Sequence, residues 1–399
     1  MTKQELSVPD AGVASYVITT RSDSESKARK ESAFGLVLLL ADGRETSAAT
    51  DRAPRVPADS IMRWSDLGMG RGILADVTTF ETVRVAAIQA TPVILDAEAS
   101  VDKAVGLIGG AAAEGAQLAV LPETFVPLYP SNSWARQASA FGGLDELWQR
   151  LWENSLDVPG LLVDRLIDAC REHGVHCAIG VNERESERPG TIYNTLLVLG
   201  PDGLLLKHRK LMPTHHERLF HGIGGGDDLQ VADTPLGRIG GLICWENRMP
   251  LARYSVYKLG PQIWLAPTAD DSDGWLATVR HIAIESGAFV VSAPQYIPKS
   301  AFPEDFPLPL PDNDVFGRGG AAIIEPSWGE VIAGPLYDRE GIVTADCDLR
   351  KGLHAKRWFD SVGHYSREDV LRGNADGFAS APRGEPSEPP DFAPERNPT

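Results

Sequence analysis

Three chemically reactive side chains lie at the ends of segments that are typical of β-strands. Glu123 ends LAVLPE, Lys210 ends LLLKHRK, and Cys244 ends RIGGLIC. In folds that alternate strands and helices, the loops after the strands converge on one edge of the sheet. The sequence therefore predicts that a carboxylate, an ammonium group and a thiol lie close together.

The thiol of Cys244 is the candidate nucleophile. The segment PLARYSVYKLG, predicted to be helical, follows shortly after it. A helix N-terminus near a thiol lowers the thiol pKa and favours the reactive thiolate. The alternative interpretation is a small buried apolar residue, which is the commoner role of a cysteine. Polar residues directly after Cys244 favour the nucleophile.

A thiol nucleophile needs a base, and two kinds are available. A Cys–His pair is conceivable, because four histidines lie in one region: His208, His215, His216 and His221. Glu123 is the other choice, since a carboxylate at a closed, dry strand end has a raised pKa and can shuttle a proton. The residues alone leave both choices open.

Lys210 could stabilise negative charge that develops near the thiol. It belongs to the basic run KHRK, in which Lys207 and Arg209 are expected to be solvated surface charges. The histidines and cysteines show no ligand spacing typical of a metal site, so we expect no metal.

The pattern of elements is that of an α/β fold. VRVAAIQA predicts a strand, apolar residues recur at helical spacing over 101–108, and AQLAVLPET predicts a second strand, which together form a β-α-β unit. Strands and helices then alternate to about residue 350. Two hairpins are also expected, one about Pro201-Asp202-Gly203 and one in GGAAIIEPSWGEVIAGP.

Composition excludes several classes of partner. The chain has 38 basic and 55 acidic residues, a net charge of −17, which repels nucleic acids and anionic membranes.

MTKQELSVPD lacks the apolar stretch of a signal peptide, and FGLVLLLA is too short to span a bilayer. None of the 4 cysteines forms a CxxC pair, which favours a reducing, cytoplasmic setting.

Three regions are expected along the chain. Residues 1–80 are polar and loop-like, and form either a poorly ordered N-terminal extension or a mis-assigned start, with Met62 or Met69 as the true one. Residues 81–350 form the α/β domain. Residues 351–399 are rich in Pro, Glu and Ser and are expected to be a largely disordered tail.

Taken in order, the motifs resemble those of the nitrilase superfamily of carbon–nitrogen hydrolases. The resemblance covers about residues 82–350, in VRVAAIQATPVILD, LAVLPETFVPLYP, HRKLMPTHHERL, ICWENRMPLARYSVYKLGPQIWLAPTADDSDGW and HIAIESGAFVVSAPQ. It implies a four-layer αββα sandwich that pairs into dimers and can extend into spirals or filaments. It also implies catalysis without a metal or organic cofactor.

The same resemblance implies a role for each matching residue. Glu123 would be the general base, Lys210 the lysine and Cys244 the nucleophile of the family. Glu217, in PTHHERL, matches a second glutamate that would position Lys210. The backbone N–H of Trp245 would join Lys210 in stabilising negative charge on the intermediate.

The run CWEN resembles the nitrilase branch, which converts a small organic nitrile and water into a carboxylic acid and ammonia through a thioimidate and a thioester. Mostly acid with a minor amide fraction is expected. The alternatives are an amidase or carbamoylase, a cyanide dihydratase, a Cys–His protease, and a non-catalytic assembly protein on the same fold.

One segment departs from the branch: FHGIGGGDDL places His221 where many nitrilases carry Trp before GxGDGS. This departure bears on substrate range.

Overall fold

The computed structural model describes residues 80–130, 136–138, 140, 142–367 and 369–370. The strands are β1 Thr82–Gln89, β2 Leu118–Val120, β3 His176–Arg184, β4 Ile192–Gly200, β5 Gly203–Arg209, β6 Val231–Thr234, β7 Gly237–Gly241, β8 Ile263–Thr268, β9 Phe289–Pro294, β10 Tyr296–Pro298, β11 Val315–Ile324, β12 Val331–Tyr337 and β13 Gly341–Asp348. The α-helices are α1 Ala97–Ala113, α2 Leu144–Glu153, α3 Leu161–His173, α4 Pro250–Tyr257, α5 Asp273–Ser286 and α6 Arg350–Trp358.

The strands form two mixed sheets. The first has the order β13-β1-β2-β3-β4-β5, and the second has the order β10-β11-β9-β8-β7-β6 with β12 paired to β11. β1, β2 and β3 are parallel, as are β7, β8 and β9. The predicted β-α-β unit and both hairpins, β4–β5 and β11–β12, are confirmed.

Three stacked cores show the layer order. In β1, Ala86 and Ile88 pack against α1 and α3, whereas Val85 and Ala87 pack against the second sheet. This alternation follows from the two-residue period of a strand. Because both faces are buried, the strand reads as a nearly continuous apolar run.

On the far side of the second sheet, Trp264 and Val290 pack against α4 and α5. The layers are therefore helix, sheet, sheet and helix, and the predicted αββα sandwich is confirmed.

Regular structure continues past the predicted domain boundary at residue 350. Helix α6 begins there. The chain then continues to Ser366, whose Oγ lies 2.7 Å from the hydroxyl of Tyr254 on α4. The predicted extension, apart from Phe80, and residues 371–399 of the predicted tail lie outside the described residues. Among the described helices, none is long and apolar enough to cross a membrane.

Candidate active site

Glu123 follows β2 and turns into the interior, where it is fully buried. Its loop lies directly against Gly180 of β3. A Cβ atom at Gly180 would lie 2.4 Å from the backbone N of Thr124 and 2.6 Å from Cα of Glu123. Only a glycine therefore allows the loop to approach β3 so closely and place the carboxylate inside.

Lys210 links two buried carboxylates. Its Nζ lies 2.7 Å from Oε1 of Glu123 and 2.7 Å from Oε2 of Glu217, and all three side chains have no solvent exposure. The residue directly follows β5, and its backbone N–H donates to the carbonyl of Asn194. The structure thus brings together three of the side chains that the sequence singled out.

Asn194, in β4, was not singled out by the sequence. Its Nδ2 donates to Oε1 of Glu123 at 2.8 Å and to Oε1 of Glu217 at 2.9 Å. Both amide hydrogens therefore point at carboxylates. A signal existed, because an Asn within the buried strand sequence TIYNTLLVLG must find polar partners.

Glu217 lies in the 3-10 helix His215–Leu219, whose N-cap is Thr214. Besides Lys210 and Asn194, its carboxylate accepts hydrogen bonds from the Thr214 N–H at 2.8 Å and the Tyr129 hydroxyl at 3.2 Å. Nδ1 of His221 lies 3.0 Å from its Oε1. So many donors favour the ionised carboxylate.

Cys244 follows β7 as the first residue of the 3-10 helix Cys244–Arg248. Its φ of 50° is unusual for a residue with a side chain, and such strain collects at functional sites. The side chain of Asn247 braces this turn by donating to the carbonyls of Leu242 at 2.7 Å and Cys244 at 3.0 Å. The Thr268 hydroxyl, at the end of β8, donates to Sγ of Cys244 at 3.1 Å.

The prediction of a lowered pKa for Cys244 is wrong. Burial raises the pKa of the thiol, and the nearby Glu123 carboxylate raises it further, although Lys210 acts in the opposite direction. The predicted helix α4 begins only at Pro250, after the intervening 3-10 turn, and burial outweighs a helix N-terminus at that distance. The candidate nucleophile is thus a thiol, and it needs a base to become reactive.

Glu123 has the properties of such a base. Burial raises the pKa of its carboxyl group, Lys210 lowers it and Glu217 raises it, so that the net shift is upward as predicted. Oε1 accepts the bonds from Lys210 and Asn194, whereas the buried Oε2 has no hydrogen-bond partner. One oxygen is therefore free to accept a proton.

The other two charged side chains of the site, Lys210 and Glu217, stay ionised. Burial would lower the pKa of Lys210, but Glu123 and Glu217 outweigh burial and raise it. Burial would raise the pKa of Glu217, but Lys210 and His221 outweigh burial and hold it well below its usual range. Lys210 is consequently a permanent cation between two acids.

The four histidines of this region do not support a Cys–His pair. His208 is held by Asp228 at 2.9 Å and Glu246 at 3.0 Å, which raise its pKa to about 9 although burial acts to lower it. His221 contacts Glu217 and Asn182. The rings of His215 and His216 pack edge-on against each other. Glu123 is the better candidate base.

The expectation of solvated charges at Lys207 and Arg209 is wrong. Both pair with the buried carboxylate of Glu183, Lys207 at 2.9 Å and Arg209 at 2.6 Å, and Arg209 also pairs with Glu185 at 3.0 Å. Glu183 lies in β3, beyond β4, so the sheet brings together residues that are far apart in the sequence.

Trp245 lies at the edge of the site, with 45% of its surface exposed. Its indole N–H donates to Asp270 at 2.7 Å, and the guanidinium of Arg248 stacks 4.5 Å from its ring while pairing with the same Asp270. Across the described ranges, no group of His, Cys, Asp and Glu is arranged to hold a metal ion.

Comparisons with known proteins identify the family of this chain. The sequence model of the family described as Carbon-nitrogen hydrolase matches residues 84–355. The chain is 45% identical over 294 residues to the aliphatic nitrilase of Sinorhizobium fredii (strain HH103), covering 72% of this chain and 94% of that protein. It is 41% identical over 318 residues to the bifunctional nitrilase/nitrile hydratase NIT4B of Nicotiana tabacum, covering 75% and 87%.

Among solved structures, Nit3 of Saccharomyces cerevisiae, a member of branch 10 of the nitrilase superfamily, matches with a TM-score of 0.58 at 20% identity. The match covers 72% of this chain and 97% of Nit3 and reflects a shared fold. The chain belongs to the carbon–nitrogen hydrolase family, whose members hydrolyse carbon–nitrogen bonds other than peptide bonds. Within that family it lies in the nitrilase branch.

Proposed function

We propose that the protein hydrolyses a small organic nitrile to the carboxylic acid and ammonia, with Cys244 as the nucleophile. The observation that carries this proposal is that the two carboxylate oxygens of Glu123 differ in their hydrogen-bond partners. One oxygen of its carboxylate is held by Lys210 and Asn194, and the other has no hydrogen-bond partner. A base with one free oxygen beside a protonated thiol suits proton transfer coupled to attack.

In the first half of the reaction, Oε2 of Glu123 takes the thiol proton as Sγ of Cys244 bonds to the nitrile carbon. The nitrile nitrogen gains the electron pair of one C–N bond and receives the proton from Glu123. The product of this half is a thioimidate on Cys244. Glu123 is then a carboxylate again and is ready to activate water.

In the second half, water loses a proton to Glu123 and adds to the thioimidate carbon, which becomes tetrahedral. The ammonium of Lys210 and the backbone N–H of Trp245 stabilise the negative charge that develops. Glu123 returns its proton to the nitrogen and the hydroxyl proton of the intermediate follows, so that the C–N bond breaks with its electron pair on nitrogen and ammonia leaves. The thioester that remains is hydrolysed by a second water, which releases the carboxylic acid and the Cys244 thiol. Glu217, paired with Lys210 at 2.7 Å, positions that cation.

An amide is expected as a minor product, because the same intermediate can expel sulfur instead of nitrogen. The name of the tobacco relative, bifunctional nitrilase/nitrile hydratase, supports this second outcome. An amidase or carbamoylase, a cyanide dihydratase and a non-catalytic assembly protein are the alternatives that the test below separates.

The proposal extends to the cellular compartment, the oligomeric assembly and the N-terminal extension of the enzyme. The 4 cysteines are free and buried, which supports a reducing compartment, the cytoplasm. Leu251 on α4 and Trp358 on α6 expose large apolar surfaces, which supports assembly into homo-oligomers built from dimers. We also propose that residues 1–80 form an extension and that catalysis resides in the domain after it.

The test is ammonia release from a panel of aliphatic, aromatic and arylacetonitriles, of amides, and of cyanide. Cys244→Ala is expected to lower turnover by at least about a thousandfold in a folded protein. Cys170→Ala is the matched control, because Cys170 lies in the apolar core between α3 and the first sheet, and it should retain the chemistry.

Each other outcome has a defined meaning. Untouched nitriles with hydrolysed amides would replace the nitrilase proposal with an amidase. Ammonia from cyanide alone would indicate a cyanide dihydratase. Neither ammonia nor amide from any substrate would favour the non-catalytic protein, and substantial activity in folded Cys244→Ala would refute the assigned nucleophile.

A further inference from the structure

His221 occupies the position at which the sequence departs from many nitrilases, and its side chain is fully buried. Both ring nitrogens have a partner within hydrogen-bond distance. Nε2 lies 2.6 Å from Oδ1 of Asn182, and Nδ1 lies 3.0 Å from Oε1 of Glu217. Whether each ring nitrogen carries a hydrogen follows from whether its partner is a hydrogen-bond donor or an acceptor.

The Asn182 side chain has a defined orientation. Its Nδ2 donates to the backbone carbonyls of Val126 at 3.1 Å and Leu128 at 2.9 Å, and a carbonyl oxygen only accepts. The atom that faces His221 is therefore the amide oxygen, also an acceptor. Nε2 of His221 must carry a hydrogen.

The partner of Nδ1 is an acceptor too. The Glu217 carboxylate already receives hydrogen bonds from Lys210, Asn194, Tyr129 and the Thr214 N–H. With four other donors it is ionised and has no proton to give. Nδ1 of His221 must also carry a hydrogen, and the ring is an imidazolium cation.

This second cation changes the charge balance of the site. The groups that face the Glu217 carboxylate are Lys210 from the β5 side, Tyr129 from the loop after β2, Asn194 from β4 and His221. Glu123 lies on the other side of Lys210 and Asn194. Two carboxylates are thus balanced by two cations, whereas an uncharged residue at position 221 would leave one net negative charge.

We infer that His221 steers the tetrahedral intermediate toward amide release, so that the protein has a nitrile-hydrating activity beside acid formation. The inference rests on the proposed nitrile hydrolysis. His221 acts through Glu217 and is a positioning residue.

The intermediate carries R, an oxygen, an amino group and the Cys244 sulfur on one carbon. For acid formation the nitrogen gains a proton, the C–N bond breaks with its electron pair on nitrogen, and a thioester and ammonia result. For amide formation the C–S bond breaks with its pair on sulfur, which is then reprotonated, and R–CO–NH₂ leaves. One water is consumed for the amide and two for the acid.

Electrostatics decides between the two departures. Nitrogen departs through a species that becomes positive, and sulfur departs as an anion. A cation that neutralises Glu217 weakens the attraction for the positive nitrogen and favours the anionic sulfur. Removing that cation should therefore shift products from amide toward acid.

The experiment measures the amide-to-acid ratio at early times, by chromatography, with a nitrile that the wild type consumes. In His221→Gln we expect the ratio to fall about threefold or more, the size expected for removing one partly compensated charge. His221→Lys keeps a cation and should stay within about twofold of the wild type. His281→Gln, at an exposed histidine of α5, is the matched control and should leave the ratio unchanged.

The outcomes separate this inference from the proposed function. If the wild type consumes no nitrile, both the proposed function and this inference are wrong. A wild type that makes no amide, or an unchanged or higher ratio in folded, active His221→Gln, overturns the inference alone.

A second measurement covers variants that fail to fold. ¹⁵N spectra of histidine-labelled wild type at pH 7.5 should show an imidazolium ring at His221, and a neutral ring at this position overturns the inference.

Discussion

The hydroxyl of Thr268 lies 3.1 Å from the sulfur of Cys244 and donates a hydrogen bond to it. The Asp270 N–H donates to the same hydroxyl oxygen at 2.8 Å, which orients the hydroxyl and leaves its hydrogen available to the sulfur. A donor aimed at sulfur stabilises the thiolate that forms when Glu123 removes the proton, and it opposes the repulsion from that carboxylate.

Thr268→Val, which keeps the shape and removes the hydroxyl, should lower kcat/KM by about tenfold, as expected for losing a hydrogen bond to a developing anion. Alkylation of Cys244 by iodoacetamide should slow as well, because both reactions need the thiolate. Thr268→Ser retains the donor and should stay near wild type. Equal alkylation rates in Thr268→Val and wild type would contradict the role.

Asn194 should set the pH at which activity appears. The acidic limb of kcat/KM reports ionisation of the base, and activity is lost as the pH falls through the raised pKa of Glu123. The Asn194 donor lowers that pKa, so Asn194→Leu should move the limb to higher pH. The pH–rate profile measures it, with exposed Asn313→Leu as the control. A limb that stays in place or moves to lower pH would show that Asn194 does not tune Glu123.

His208 should make stability depend on alkaline pH. Its folded-state pKa of about 9 lies above the ordinary value of 6.5. Its contribution is therefore fully present below pH 6.5 and is lost as the pH rises through 9, up to about 3 kcal/mol. Melting curves from pH 6.5 to 9.5 should show Tm falling in wild type and falling less in His208→Gln. Exposed His281→Gln should keep the wild-type slope, and equal slopes in all three proteins would refute the assignment.

A chain that begins at Met69 should fold and hydrolyse nitriles, because β1 starts only at Thr82 and the family match starts at residue 84. A chain that begins at Thr91 is the contrasting variant. It loses β1, whose residues Val85 to Gln89 are fully buried between two cores, and should be insoluble. Solubility and ammonia release measure both. An inactive Met69 chain would contradict the proposal that the extension is dispensable.

The sequence was most informative where a local pattern determines the outcome. The β-α-β unit, both hairpins and the positions after β2, β5 and β7 follow from apolar periodicity and turn residues. Asn194 and Thr268 carried a weaker signal, since each is a polar residue inside or at the end of a buried strand. Such a residue needs a partner, but a sequence does not say which one.

What the sequence missed depends on contacts between distant segments. Lys207 and Arg209 look like solvated charges in the sequence, but the folded sheet places Glu183 of β3 beside them. The pKa of Cys244 was predicted in the wrong direction, because helix position is a local property whereas burial and the charge of Glu123 are not. Charges and protonation states of a buried site therefore needed the three-dimensional arrangement.

The reactive groups are divided between the two sheets. In the first sheet, Glu123 follows β2, Asn194 lies in β4 and Lys210 follows β5. In the second sheet, Cys244 follows β7 and Thr268 ends β8. A folding intermediate with only one sheet formed has either a base without a thiol or a thiol without a base, and is catalytically silent. The proposed nucleophile thus meets its proposed base only through the docking that also buries both side chains. Recovery of activity during refolding accordingly reports the moment at which the two sheets stack.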